Sequence, residues 1–502
     1  MEDSNKTSKR VNNQGSAIPG GVVTGLLFAV MVVFDVVLVR SALLPVKFLV
    51  PIMVLLVALV ALLGFLTHRT ERIGRFAAGT VVSILIAIIL IYAIIALNTL
   101  TSTLNSITTV STEVTHVGVY VLTEDEAETL NDLEEDTFGI LSELDRTSTD
   151  GAIQQLNEDL DTEIATVEYD SLVQLVDALY DQECRAILLN DAYLDVIAEI
   201  EGYEDIDDRI REVTGLEVEE AVEETVVPES EDAESTVTAE SDSVFTLYIS
   251  GIDSRNGLKA RSRSDVNILA TVNTETHQIL LVSTPRDYYV PLSISNGARD
   301  KLTHAGIYGV SVSMDTLAML YDIDVDYYFR VSFEGFEDIV DALGGVSVYS
   351  EYAFTSSHTG DTFVEGYNYV DGSQALAFAR ERYAFATGDR QRGKNQMALI
   401  QAIITKALSP SILVNYSSIL SAVEDNFETS LSYDLIASLV SDQLSTGADW
   451  EVITYSVDGS NGSAVPYSMS TTAYVMIPDE STVATAKELM QAVLNGEVIS
   501  QP

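Results

Sequence analysis

Arginine and aspartate recur together in the middle of this chain, and in that company they suit the handling of a phosphate anion. About half of all lysines and arginines fall between Arg255 and Lys406, in a chain whose formal net charge is -49. They come in sets. Arg261 and Arg263 precede Asp265, and Arg286 stands in Thr284-Pro-Arg-Asp287. Arg380 and Arg382 flank Glu381, and Arg390, Arg392 and Lys394 share Gly388-Asp-Arg-Gln-Arg-Gly-Lys-Asn-Gln396. Taken singly, each set reads best as solvated surface. Four sets at the ends of expected strands, or in the loops after them, point instead to a ligand crevice beyond a sheet. Arg380 and Arg382, two apart, would project to one side of an extended backbone. Guanidinium is always charged and fork-shaped, which fits phosphate oxygens. Several converging guanidiniums would need a multiply charged anion.

Two carboxylates accompany them. Asp253, in Ile249-Ser-Gly-Ile-Asp-Ser-Arg255, ends one expected strand, and Asp265 begins the next. Adjacent strands would bring the two together, and two carboxylates beside a phosphate suit Mg²⁺. The same pair also reads as strand caps, or as ion-pair partners of Arg263 and Arg286.

The elements around these residues are short β-rich runs: Phe245-Thr-Leu-Tyr-Ile-Ser250, Val266-Asn-Ile-Leu-Ala-Thr-Val272 and Gln278-Ile-Leu-Leu-Val-Ser283, punctuated by Gly251, Asn273 and Pro285. Helical patterns follow at 312–320, 335–343, 394–408 and 433–443, and the stretch 450–502 adds strand-like runs and a closing helix. The expectation is an α/β/α layered domain over 244–502 with a central mixed β-sheet. Upstream, 215–243 reads as an acidic linker and 98–214 as a small, helix-rich, acidic accessory domain. Ala186-Ile-Leu-Leu-Asn-Asp-Ala-Tyr-Leu-Asp-Val-Ile197 is one of its expected helices.

The N-terminal region is apolar. Runs at about 22–39, 43–66 and 76–97 are each long enough to cross a bilayer as a helix. Lys6, Lys9 and Arg10 precede the first, and His68, Arg69, Arg72 and Arg75 fill the loop between the second and third. The positive-inside rule makes residues 1–21 a cytoplasmic tail and places everything after about residue 98 outside; Arg40 and Lys47 oppose this weakly. The net charge argues against nucleic-acid binding, which needs a basic footprint. The one cysteine, Cys184, excludes an internal disulfide framework.

With these motifs in order, the chain resembles the LytR–CpsA–Psr (LCP) family, particularly capsule-type members with three membrane helices and an accessory domain. The motif core runs over 244–408: Gly251-Ile-Asp-Ser-Arg, Arg263-Ser-Asp, Ser283-Thr-Pro-Arg-Asp, Asp326-Tyr-Tyr, Val340-Asp-Ala-Leu-Gly-Gly-Val, Asp371-Gly-Ser-Gln-Ala-Leu, Ala379-Arg-Glu-Arg and Asp389-Arg-Gln-Arg-Gly-Lys-Asn-Gln. The resemblance implies a multi-pass protein of the bacterial cell membrane with its catalytic domain outside. It implies a Mg²⁺-dependent phosphotransferase that moves a glycopolymer, capsular or teichoic-acid-like, from an undecaprenyl-pyrophosphate carrier in the membrane lipid to peptidoglycan as a phosphodiester. Carried over, Asp253 and Asp265 would hold the metal. Arg263, Arg286, Arg380, Arg382 and Arg392 would contact the pyrophosphate, with Gln396 beside them. Asp287 is a candidate for activating the acceptor hydroxyl or for orienting Arg286. Capsule-assembly proteins are expected partners of a capsule-type member. The run after Arg392 departs from the family pattern, with Lys394-Asn395-Gln396 where many members have Arg-Gln-Gln.

Two other functions use the same residues. One is a polyprenyl-pyrophosphate phosphatase, with water as acceptor; the other is a non-catalytic regulator or scaffold of capsule assembly. The topology is open to test. A reporter fused beyond residue 98 is expected to be active outside the cell, and one fused in the 67–75 loop inside; the reverse result for either contradicts the membrane arrangement.

Overall fold

The computed structural model describes residues 17–68, 73–108, 112–221, 243–253, 257–386, 388–409, 419, 423 and 426–501. These residues form two compact units. The first contains helices α1 (Ala17–Arg40), α2 (Val46–His68) and α3 (Ile73–Thr108) together with the helix Tyr433–Thr446. Leu, Ile, Val and Ala run almost unbroken through α1–α3, so no polar face forms, as befits segments that must satisfy every backbone group internally. Gly21–Arg40, Val46–Thr67 and Phe76–Ser102 are long and apolar enough to cross a membrane. The third helix continues to Thr108, past its expected end at 97, so the first residues assigned to the accessory domain belong to it. Tyr433 donates its hydroxyl to Ser41 O at 2.7 Å, and the Lys47 ammonium donates to Ser445 O. Lys6, Lys9, Arg10, Arg69 and Arg72 lie outside the described residues.

The second unit starts with the accessory region, and here the helical expectation needs correction. Helices are present: α4 (Arg146–Leu160), α5 (Leu172–Tyr180) and the short α6 (Leu194–Ala198), which keeps only the last part of the helix expected over 186–197. They pack on a five-stranded mixed sheet made of β1 (Thr112–Leu122), β2 (Thr137–Leu141), β3 (Ala165–Tyr169), β4 (Ala186–Asn190) and β5 (Ile210–Ala221), in the order β3-β2-β4-β1-β5. Ala186-Ile-Leu-Leu-Asn190 is a strand with all five residues buried. A short, wholly apolar run has no period that separates a buried strand from a buried helix. β5 also corrects the linker. Leu216 and Val218 face inward while Glu217 and Glu219 are exposed, so the acid is the solvent side of a two-residue alternation. The rest of the expected linker, 222–242, lies outside the described residues.

The remaining part is the expected α/β/α layering around a six-stranded mixed sheet. Its order is Phe427–Thr429, Tyr327–Ser332, β6 (Val244–Ile252), β7 (Ser264–Asn273), β8 (Gln278–Ser283), Glu451–Ser456. β6, β7 and β8 run antiparallel, and Tyr327–Ser332 and Glu451–Ser456 flank them in parallel. On one face Leu280, Val282 and Leu269 meet Leu317, Tyr321, Ala486 and Met490 of the helices Val310–Tyr321 and Glu480–Leu494. On the other lies the helix Asp389–Ala407, whose Gly393 approaches Ser283 Oγ. Several family motifs turn out to hold geometry. Asp326 Oδ2 accepts from Thr246 N at 2.7 Å, locking two strands, and Asp371 caps the helix Gly372–Arg380. Gly344 and Gly345 both take positive φ, at 73° and 83°, where a side chain would be strained.

The accessory sheet is tied to the larger one by a buried ion cluster. Arg330 gives Nη1 to Glu113 Oε1 and Nη2 to Glu428 Oε2, both at 2.6 Å, and Nε to Glu428 Oε2 at 3.0 Å. Arg261 Nε reaches Glu113 Oε2 at 3.3 Å. Next to them, Val114 N donates to Lys259 O and Arg261 N to Val114 O. Removing one member of such a cluster strands the other charges away from water. Glu113→Ala is therefore expected to cost about 3–5 kcal/mol in chemical unfolding; a loss below about 0.5 kcal/mol, as for an ordinary surface change, would contradict that role.

Candidate functional site

The turn between β6 and β7 sets the site. The two strands pair as far as Gly251↔Val266 and then Ile252↔Ser264, so Asp265 is an extra, bulged residue. A bulge bends the strand and re-aims its side chain. Gly251 permits the close approach, since a Cβ there would lie 2.8 Å from Val266 Cγ2. Asp253 follows directly on Ile252, and Asp265 is near enough for the two carboxylates to act on each other electrostatically. Partial desolvation raises the Asp253 carboxyl; Arg380 opposes this, and the neighbouring Asp265 adds to it. Burial would raise Asp265 as well, but Arg286, Arg263 and Arg392 hold it below its usual value.

Arg286 reaches the same point from the end of β8, donating Nη1 to Asp265 Oδ1 at 2.8 Å. Around it three cations converge on one carboxylate. Glu199 Oε1 lies 2.6 Å from Arg263 Nη1 and 4.0 Å from Arg286 Nη2, and its Oε2 lies 2.6 Å from Lys301 Nζ. Asp195 Oδ2 adds a contact to Arg263 Nη2 at 3.2 Å. Asp287 sits between Arg286 Nε at 3.7 Å and Lys301 Nζ at 3.6 Å. Burial alone would raise the Glu199 carboxyl; Lys301, Arg263 and Arg286 overcome it and lower it to about 2. Even so, Nε of both Arg263 and Arg286 is buried with no hydrogen-bond partner among the described residues.

The other sequence-derived residues divide. Arg380 is the last residue of a helix, and Glu381 resumes an extended backbone, so the expected strand alternation of Arg380 and Arg382 does not form. What separates them is Glu381, fully buried and accepting from Ser357 N, Ser357 Oγ and Ala384 N. Arg380 lies over the Phe333 ring at 4.8 Å and acts on Asp253; Arg382 donates to the Tyr383 hydroxyl at 2.6 Å. Arg392 acts on Asp265 from the helix Asp389–Ala407, and Gln396 on the same helix donates to Ala379 O at 3.4 Å. Their neighbours turn away: Arg390 pairs with Asp458 and Lys394 with Glu351. Met314 and Leu317 are buried in the sheet's own core.

Sequence reasoning missed Lys301, Asp195 and Glu199. Lys301 sits on a three-residue strand, and the two acids sit in a region where acid is everywhere; spacing carries no signal for either. His304 also has an informative environment. Its Nδ1 lies 2.7 Å from both Asp300 Oδ1 and Ser468 Oγ. A catalytic relay needs its serine and aspartate on different ring nitrogens, so this buried trio anchors the loop after Lys301.

The family model described as the LytR_cpsA_psr family matches residues 213–491. The chain belongs to the LytR–CpsA–Psr family. Among curated relatives, the polyisoprenyl-teichoic acid–peptidoglycan teichoic acid transferase TagU of Enterococcus faecalis is 38% identical over 192 residues, which are 38% of this chain and 62% of the relative. The Bacillus subtilis protein of the same name is 37% identical over 199 residues, 39% of this chain and 63% of the relative. The matches thus span less than two thirds of those relatives' own length. The crystal structure of B. subtilis TagU aligns at 29% identity and a TM-score of 0.40, over 51% of this chain and 99% of that one.

In this LytR–CpsA–Psr member the Glu199 carboxyl has a depressed folded value. Its stabilising contribution is therefore complete above the unfolded value near 4.3 and is lost as pH falls toward about 2. Glu199→Gln should lower stability at pH 7 by on the order of 2 kcal/mol, with allowance for its partial exposure. The gap from wild type should close between about pH 4.5 and 2, as followed by urea unfolding at stepped pH. A gap that is constant across that range would show that the ion pairs do not carry it.

Proposed function

We propose that this protein is a cell-wall glycopolymer phosphotransferase, moving a polymer from a polyprenyl-pyrophosphate carrier to peptidoglycan. The observation that carries this reading is the cationic cluster of Arg263, Arg286 and Lys301, in which two buried guanidinium donors have no hydrogen bond among the described residues. Such a cluster fits a multiply charged anion. Family membership and the printed activity of the TagU relatives support the choice of a lipid-linked wall polymer as its source. Three apolar helices and an accessory domain favour a capsule-type polymer and, with it, capsule-assembly proteins as partners.

In this reading the pyrophosphate replaces Glu199 between Arg263, Arg286 and Lys301, while Arg380, Arg382 and Arg392 close on it from the opposite loop and helix. Asp287, held between two cations, positions Arg286 and Lys301. An acceptor hydroxyl attacks the glycan-side phosphorus; a new P–O bond forms as the bond from that phosphorus to the bridging oxygen breaks, the hydroxyl proton passes to solvent, and polyprenyl phosphate leaves with the bridging oxygen. The guanidiniums stabilise the charge that grows on the leaving phosphate. Asp253 and Asp265 fit Mg²⁺: they approach each other, Asp265 Oδ2 has no hydrogen bond among the described residues, and two carboxylates plus phosphate oxygens form an all-oxygen set. Bound there, Mg²⁺ would neutralise charge on the phosphate oxygens. In this reading the N-terminus is cytoplasmic and the catalytic domain outside, which the basic residues between the apolar helices support.

The test is to incubate the full-length protein with lipid-linked glycan, Mg²⁺ and peptidoglycan fragments. A glycan–peptidoglycan phosphodiester is expected; release of free glycan phosphate alone would favour the phosphatase, and no turnover the scaffold. Within that assay, Arg263→Lys and Arg286→Lys keep the charge but lose the fork. Each should cost tens to about a thousandfold in rate, or on the order of 2–4 kcal/mol of transition-state stabilisation. Near-normal turnover in both would remove the clamp from the account.

A further inference from the structure

Three neighbouring strands of the accessory sheet bring one metal-binding side chain each to a single point. His116 comes from β1, Glu212 from β5, and Asp191 directly follows β4. His116 Nε2 lies 3.2 Å from Glu212 Oε1 and 3.6 Å from Asp191 Oδ2, and one ligand atom from each of the three falls within 4.8 Å of the others. A tetrahedral ion with bonds of about 2.0–2.1 Å holds its ligands about 3.3 Å apart. Both separations from the imidazole nitrogen are therefore already close to those around a bound ion.

Two backbone features build this point. The β1–β5 register runs Val119↔Thr214 and then Tyr120↔Glu212, skipping Val213. Without that bulge Glu212 would stand opposite Val121 and face the other side of the sheet. The cross-strand pair Gly118↔Gly215 opens a recess beneath the side chains. A Cβ on Gly215 would lie 2.2 Å from His116 Cε1 and 2.4 Å from Glu212 Oε1, and one on Gly118 would lie 2.4 Å from the Tyr120 ring. The Tyr120 hydroxyl donates to Asp191 Oδ1, orienting that carboxylate with Oδ2 toward His116, as the outer shell of a metal site commonly does.

We propose that His116, Asp191 and Glu212 form a binding site for a first-row divalent cation of the Zn²⁺ class. One imidazole nitrogen and two carboxylate oxygens suit such an ion, and three protein ligands leave a fourth position for water. The site is separate from Asp253 and Asp265. Asp191 also opens the segment that supplies Asp195 and Glu199 to the arginine cluster, so an ion here fixes the root of that segment.

The experiment uses the full-length protein in detergent, without a polyhistidine tag, stripped with chelator and titrated with Co²⁺. The expected result is a visible absorption band of tetrahedral Co²⁺ that saturates at one equivalent and is displaced by Zn²⁺. The band should disappear, or its affinity fall at least tenfold, in His116→Gln and in the more exposed Glu212→Gln. It should persist in the Asp253→Ala/Asp265→Ala double variant. Zn²⁺ should raise the melting temperature of the wild type and not that of Glu212→Gln, whose metal-free melting temperature reports that it is folded. Absence of the band, its survival in both single variants, or its loss only in the double variant would overturn the proposal.

Discussion

Three cations placed around one partly buried point repel one another, and the rest of the site follows from how that repulsion is answered. Arg263, Arg286 and Lys301 cannot share a region of low polarity without an anion among them. In this structure the anion shared by all three is Glu199, which belongs to the accessory region and not to the domain that carries the cations. Beside Asp195, Asp265 and Asp287, the cluster in the free protein is thus supported by a carboxylate that stands 64 residues before Arg263 and 102 before Lys301. Glu199 stands where the proposed mechanism puts phosphate oxygens, which makes it a resident competitor for the ligand and a support for the empty site.

The same junction contains an arginine used in the opposite way. Arg330 gives all three of its nitrogens to Glu113 and Glu428, in a cluster closed to solvent. That arrangement holds two sheets together and offers nothing to a ligand. Arg263 and Arg286 each keep a buried Nε with no hydrogen bond among the described residues. In the proposed reading, what sets the binding arginines apart from this structural one is how many of their donors the protein itself satisfies.

Much of this was legible in the sequence, and the parts that were not have physical reasons. Asp253 and Asp265 could be placed together because antiparallel neighbours joined by a short loop bring their ends together. The arginine motifs could be recognised because clustered basic residues stand out against so much acid. Arg380 and Arg382 misled, because a capped helix reaches Arg380 and a buried Glu381, not strand alternation, sets their spacing. In the accessory sheet, β4 was hidden by being five residues long and buried on both sides, and β5 by glutamates that mimic a linker's composition. Glu199 was invisible for a different reason. Its importance comes from which cations it meets across the fold, and no local pattern records a partner so far along the chain.

The account's central claim is that Glu199 occupies the place of the anionic ligand, and calorimetric titration of inorganic pyrophosphate into the full-length protein tests it most directly. If the claim holds, Glu199→Gln, freed of its competing charge, binds pyrophosphate more tightly than the wild type, and the gain disappears when Arg263 is also changed to Gln. Equal or weaker binding by Glu199→Gln, in protein shown to be folded, would contradict it.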